Sequence, residues 1–377
     1  MNILICPDKF KESLTAAEAA DSIQRGILKA LPEAQCKCIP VADGGEGTVQ
    51  ALVKATGGRI VPVKVHDPLL RIIDSYIGVS GDHTKAFIEM SAASGLALLP
   101  LSQRDPLKTS TFGTGELILA ALEAGCREII LGIGGSATVD GGTGMAQALG
   151  VRFLDAAGNE IQANGRKMGM IAKIDVSHLD ARLEACRIEV ASDVTNVLYG
   201  KEGAAFVFGP QKGADREAVD ELDENLQHLA EVIQKQLHKD VDFVPGAGAA
   251  GGLGAGIMAF LNGNIRKGFE LVAEVTGLGT WIDWADMVVT GEGKIDSQTL
   301  YGKAPAGVAK MAKSKNKPVI AFAGALGEDY DRLYEKGFLS VIPIADKPMT
   351  VEESMKNASV LLERAAERTF RMLGHRL

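Results

Sequence analysis

MNILICPDKF KESLTAAEAA DSIQRGILKA LPEAQCKCIP VADGGEGT, residues 1–48, is the stretch whose reading decides the fold. Asn2 to Cys6 is a short apolar run stopped by Pro7-Asp8-Lys9. Thr15-Ala16-Ala17-Glu18 has capping-box spacing, and apolar residues then recur at helical intervals to about Ala30. Lys37 to Val41 is a second short run, stopped by Ala42-Asp43-Gly44-Gly45-Glu46-Gly47. A helix follows to about Ala55 and closes at Gly57-Gly58. Strand, helix, strand, helix in this rhythm predicts a parallel sheet.

The same rhythm returns from about Asp286. Strands are predicted at Met287 to Val289, Val319 to Ala323 and Ser340 to Ile344, with helices near Ala306 to Lys313, Tyr330 to Lys336 and Ser354 to Leu373. The middle of the chain differs. Ile72 to Val79 and Lys85 to Met90 alternate around Ser80-Gly81-Asp82 as an antiparallel hairpin does. Glu128 to Leu131 and Ile188 to Ala191 are further short strands, and helices are predicted near Gly115 to Ala124 and over Glu217 to Lys239. The expected class is α/β. One doubly wound parallel-sheet domain would be built from both termini (1–64 and 286–377), with a second α/β domain (65–285) inserted.

The chain of 377 residues is 46% hydrophobic and 23% charged, as ordinary globular proteins are. Its net charge of -8 argues against nucleic acid as a partner, and no basic run offers a footprint for one. No apolar stretch approaches the length of a membrane span, and the start lacks the basic region of a secretory signal, so a cytoplasmic location is expected. The five cysteines include no CxxC pair and read as buried thiols. Nothing suggests a large assembly; a monomer or weak homo-oligomer is expected.

Seventeen of the 44 glycines fall in four runs: Gly44 to Gly47, Gly132 to Gly144, Gly246 to Gly256 and Gly291 to Gly293. Clustering of this kind marks places where backbone approaches something closely. In an open parallel sheet, ligands bind beyond the carboxyl ends of the strands. That rule gathers Asp8-Lys9, Asp43 to Glu46 and Gly291 to Asp296 on one rim. The inserted region adds Gly132 to Gly142, a loop after a strand that can offer N–H groups to phosphate oxygens. Its start also satisfies GxGxxA, with Asp155 near the spacing of a ribose-binding acid, so an NAD(P)-dependent dehydrogenase of a small hydroxy acid is the rival reading. Asp140-Gly141-Gly142 falls where the dinucleotide helix should already be running. Ser192 to Asn196 is a candidate metal or substrate contact. The run Gly246 to Gly256 fits either tight helix packing or ligand approach. A P-loop, an HExxH zinc site and a GxSxG elbow are all absent. Glycine loops with acidic residues and no His or Cys nucleophile suit phosphoryl transfer, which is mostly positioning and charge neutralisation.

At these residues the sequence resembles the bacterial glycerate kinase family, which phosphorylates D-glycerate from ATP. The matching segments are Pro7 to Leu14, Pro40 to Thr48, Arg104 to Leu107, Thr114 to Ile118, Gly132 to Gly142, Ser192 to Asn196, Phe208 to Gly213, Pro245 to Gly254, and Thr290 to Asp296 with Gly302-Lys303. They span the chain in family order. The resemblance implies a flavodoxin-like domain plus a second α/β domain, with 2-phosphoglycerate the favoured product. For that chemistry Gly134, Gly135, Ser136, Asp140 and Gly141 are expected to bind the nucleotide, and Asp193 and Glu292 to hold Mg²⁺. Asp296 or Asp43 would accept the substrate proton, with Lys9 alongside them in catalysis. Lys11, Ser13 and Lys303 are expected at the substrate.

Overall fold

In a computed structural model, residues 1–297, 299 and 304–374 are described. The strands, in chain order, are β1 (Asn2–Ile5), β2 (Gln35–Cys38), β3 (Arg59–His66), β4 (Ile72–Val79), β5 (Lys85–Glu89), β6 (Glu128–Gly132), β7 (Arg152–Leu154), β8 (Lys173–Asp175), β9 (Arg187–Ala191), β10 (Asn264–Arg266), β11 (Met287–Ile295), β12 (Val319–Leu326) and β13 (Phe338–Pro343). The chain divides into two compact units. The first comprises Met1–Asp43, Gln50–Gly57 and the described part of Phe269–Leu377; the second comprises Gly44–Val49 and Gly58–Gly268.

The first unit holds a wholly parallel sheet in the order β13-β12-β11-β1-β2. Counted along the chain within this unit, that order is 2-1-3-4-5, the flavodoxin-like arrangement, whose direction of winding reverses between its first and third strands. The reversal here lies between β1 and β11. Alternation along each strand explains why both faces are covered. Ile3, Ile5, Val289, Ile320 and Phe322 pack with Ile23 and Ile27 of the helix Ala16–Ala30 and with Leu362 and Phe370 of the helix Ala358–Gly374. Leu4, Val288, Ala321 and Ala323 face the other way, onto Val308 and Ala312 of the helix Ala304–Ser314 and Ile282 of the helix Leu278–Trp284. Each large aliphatic side chain buried this way contributes roughly 1.5–3 kcal/mol. The Thr15 hydroxyl accepts from Glu18 N at 3.2 Å while Thr15 N donates to the Glu18 carboxylate at 2.9 Å, closing the expected capping box.

The second unit is built on a mixed sheet in the order β10-β9-β6-β5-β4-β3, with a separate two-stranded sheet of β7 and β8. β5, β6, β9 and β10 are parallel, and β3 and β4 are added antiparallel at one edge. The expected hairpin of β4 and β5 is present, but β3 was not foreseen. The boundary drawn at 64/65 falls inside β3, which pairs with β4 from Arg59 opposite Val79 to His66 opposite Ile72. Asp67 makes the connecting turn, its carboxylate accepting from Leu69 N at 2.8 Å and Arg71 N at 2.9 Å. The expected helices at 115–124 and 217–239 run over Phe112–Glu123 and Arg216–Leu237. The C-terminal helical segment is divided at Asn357, and Tyr330–Lys336 is a 3₁₀ rather than an α-helix. All five cysteines are free; Cys36, Cys38 and Cys186 are half-buried rather than buried. Among the described residues no helix is long and apolar enough to cross a membrane.

Candidate active site

The parallel pairing of β1 with β11 outlasts the strand itself. Cys6 N donates to Val289 O and Asp8 N to Gly291 O, both at 2.8 Å, and Val41 N reaches Pro7 O at 3.0 Å on the other side. This register sets Asp8 at the reversal point of the sheet with Glu292 beside it. The segment Gly291 to Ile295, expected as a loop, is instead the continuation of β11, paired in register with Phe322 to Leu326. A Cβ at Gly291 would come within 2.5 Å of Phe322 O, so the glycine there serves close strand approach.

The carboxylates on this rim are unusually sheltered. Asp8, Glu292 and Asp296 are 8%, 6% and 8% exposed, while Asp43 and Lys9 are half-buried. Burial, then the charge of Asp43, pushes the Asp8 carboxyl up to about 7; Glu292 adds to this, against the Lys9 N–H and ammonium. Lys9 N donates to Asp8 Oδ1 at 2.7 Å. The Thr299 hydroxyl donates to Glu292 Oε1 at 2.5 Å and accepts from Asp296 N at 3.2 Å, tying the two acids to one turn. Lys294 Nζ lies 3.0 Å from Asp296 Oδ2. Lys11 is exposed at the tip of a tight loop closed by Phe10 and Leu14. The Ser13 hydroxyl donates to Met355 O at 3.0 Å, in an open groove it shares with Glu12 and Lys356. Lys303 lies outside the described residues.

The loop expected to meet phosphate lies in the second unit. β6 ends at Gly132, and the next helix, Thr143–Ala148, begins only after Gly142. Gly134 and Gly135 are exposed, while Ser136 is 6% exposed and its Oγ accepts from Thr138 N at 3.1 Å. Asp140 is sealed inside. Its carboxylate accepts from Thr111 N at 2.7 Å, Thr111 Oγ1 at 2.8 Å, and Gly142 N and Gly144 N at 3.2 Å each. Burial raises its pKa against those donors. A Cβ at Gly141 would strike the Leu229 side chain at 2.4 Å. Asp140 and Gly141 thus brace the loop from within, whereas Gly134 and Gly135 form its outer face.

The run Gly246 to Gly256 backs this loop. Ala250, Gly251 and Gly252 are all left-handed, and a Cβ on Gly251 would come within 1.9 Å of Thr138 O. These glycines let a helix start against the loop, which settles the choice between packing and ligand approach for that pair. Asp193 is exposed beyond β9, with Oδ1 accepting from Gly268 N at 3.2 Å. It belongs to the second unit and Glu292 to the first. Among the described residues no three His, Cys, Asp or Glu side chains converge on a single metal position.

The dehydrogenase reading fails on this geometry. A dinucleotide loop runs directly into its helix, but here seven residues separate Gly135 from Thr143. Asp155 caps its own turn, accepting from Ala157 N at 2.8 Å and Asn159 N at 2.9 Å. Two contributors escaped the sequence reading. Asp8 was placed on the rim without a role, and Thr299, which ties Glu292 to Asp296, carries no sequence signal.

Comparison with known proteins agrees with the architecture. The glycerate kinase family matches residues 3–374. A glycerate kinase of Halalkalibacterium halodurans is 50% identical over 364 residues, 97% of this chain and 96% of the relative. A glycerate 2-kinase of Escherichia coli K12 is 51% identical over 358 residues, 95% of this chain and 94% of the relative. The crystal structure of a provisionally named glycerate kinase 2 from Salmonella typhimurium LT2 superposes with a TM-score of 0.92 at 50% identity, covering 100% of both chains.

Proposed function

The chain belongs to the glycerate kinase family; it is a kinase, and we propose that it transfers the terminal phosphoryl group of ATP to the 2-hydroxyl of D-glycerate. The observation that carries the reading is the sheltered set of carboxylates at the reversal point of a flavodoxin-order sheet, where such sheets bind ligands. Phosphoryl transfer needs a proton acceptor for the attacking hydroxyl, neutralisation of phosphate charge and donors for the phosphate oxygens.

In this proposal Asp43 or Asp296 accepts the hydroxyl proton, and Lys9, Lys11, Ser13 and Lys303 hold the substrate carboxylate and the transferring group. Gly134 and Gly135 present backbone N–H groups to the nucleotide phosphates, and Ser136, Asp140 and Gly141 keep that stretch in shape. The acidic rim also suits Mg²⁺: burial first, and then the negative charges of Asp43 and Glu292, drive the Asp8 carboxyl up, and a hard cation would relieve the charge repulsion. Mg²⁺ asks for only one or two carboxylates beside phosphate oxygens. Glu292 would supply a carboxylate to the ion, which when bound supplies charge neutralisation at the phosphates. The free state of all five cysteines supports a reducing, cytoplasmic setting.

The test is ADP release with D-glycerate, ATP and Mg²⁺, followed by phosphorus NMR of the product. Phosphate on the 2-hydroxyl is expected. Phosphate on the 3-hydroxyl would overturn the regiochemistry, and absence of ADP release would overturn the kinase reading.

A further inference from the structure

Lys212 stands in the segment Phe208 to Gly213 and takes no part in the roles assigned above. It is 2% exposed, among the largest fully buried side chains of the protein. Its Nζ donates to Thr138 O at 2.6 Å and to Ser136 Oγ at 3.1 Å. An ammonium carries three donors, and among the described residues these two acceptors are its only hydrogen-bond partners, with no carboxylate at ion-pair distance. The charged group whose field reaches it is Asp140, itself fully occupied by Thr111, Gly142 and Gly144. A buried cation without a contacting anion is costly. This one is held directly beneath the loop whose outer residues, Gly134 and Gly135, are exposed.

We propose that Lys212 is a positioning residue for the nucleotide: its ammonium fixes Ser136 to Thr138 so that the outer loop faces a phosphate, and its uncompensated charge is answered when that phosphate binds. The two grips are complementary. Lys212 holds the loop at 136–138 from one side, and Asp140 ties its far end at 142–144 to Thr111. Ser136 links Lys212 to the backbone of the loop, because its Oγ accepts from both the ammonium and Thr138 N. Burial pushes the Lys212 pKa down to about 7, with Asp140 opposing the shift. A phosphate at the loop would raise it again, so nucleotide binding above neutrality should take up a proton.

The proposal rests on the kinase reading, and the experiment separates the two. Lys212→Met keeps the volume of the side chain and removes the charge. Its KM for ATP should rise at least tenfold, its KM for D-glycerate should hold within about twofold, and its rise of KM for ATP between pH 7 and 9 should flatten relative to wild type. A purely structural lysine would lower the melting temperature and leave the KM for ATP of the folded enzyme, and its pH profile, unchanged; that result overturns the proposal. If Lys212→Met does not fold, titration calorimetry of the wild-type enzyme with ATP at pH 8, in two buffers of different ionisation enthalpy, takes its place. Net proton uptake supports the proposal, and none overturns it. Wild-type enzyme that releases no ADP with D-glycerate would instead remove the kinase reading itself.

Discussion

Alanine at Gly134 is the sharpest test of the phosphate loop, because the structure separates its effect on folding from its effect on binding. A Cβ there would lie 3.4 Å from Gly45 Cα and 3.8 Å from Gly44 O, which is ordinary packing distance. The backbone of Gly134 is not left-handed, so no conformational penalty adds to this. The folded state should therefore lose less than about 1 kcal/mol, a few degrees of melting temperature at most. The methyl group would stand against Gly44 and Gly45, beside the exposed backbone whose N–H groups are proposed to meet phosphate oxygens. Hydrogen bonds to a charged partner are worth about 1.5–3 kcal/mol each, so displacing one should raise the KM for ATP about 10- to 100-fold. Gly251→Ala supplies the contrast. It combines a φ of +72° with a Cβ 1.9 Å from Thr138 O, and should unfold at markedly lower temperature. Melting curves and ATP titrations of ADP release on both variants make the comparison. A Gly134→Ala enzyme that melts like wild type and keeps its KM for ATP would refute the assignment of this loop to the nucleotide.

Three further outcomes are expected. The Asp8 carboxyl is raised from 3.8 to about 7 in the folded state, so its ionisation opposes folding: the penalty is absent below about pH 4, grows as pH rises, and is complete above about pH 7. Asp8→Asn should accordingly raise the metal-free melting temperature at pH 8, by up to about 4 kcal/mol of stability, and this gain should vanish at pH 4; equal shifts at both pH values would disprove the buried charge. Asp296→Asn should fold normally yet lose about 10²- to 10⁴-fold in kcat if Asp296 takes the proton, and near-normal turnover would assign that role to Asp43. Phe153, fully buried against Phe260 with ring centroids 5.7 Å apart, should cost about 3–5 kcal/mol on change to Ala by urea unfolding.

Both ends of the chain could be read as β/α units because their strands are short apolar runs ended by turn residues, and a two-faced buried strand must look like that. β3 escaped because Pro62 interrupts its run of Ile60, Val61, Val63 and Val65, and a proline inside such a run argues against a strand unless, as here, the strand lies at a sheet edge. The extension of β11 was hidden for a different reason. Gly291-Glu292-Gly293-Lys294 has the composition of a turn, yet the glycines are there because β12 runs close alongside. The acids of the rim were legible as strand-end residues, whereas the burial that perturbs Asp8 depends on pairing with residues nearly 300 positions away. In the sequence, Lys212 between Gln211 and Gly213 has the look of a solvated turn residue. Nothing local reveals that its ammonium is turned inward to Ser136 and Thr138.

The pairing of Ile3 with Met287 has a temporal side. During synthesis β1 leaves the ribosome first but cannot take its place between β2 and β11 until more than 280 further residues have followed. The second unit, nearly all of it a continuous stretch from Gly58 to Gly268, can condense in the meantime. Closing so long a loop adds only slowly to the entropic cost, but it delays the event. Asp8 and Lys9 can meet Glu292 only once that length of chain has been made, whereas the loop after β6 needs only residues of the second unit. If the rim acids act as proposed, competence for the reaction waits on the docking of β11 beside β1.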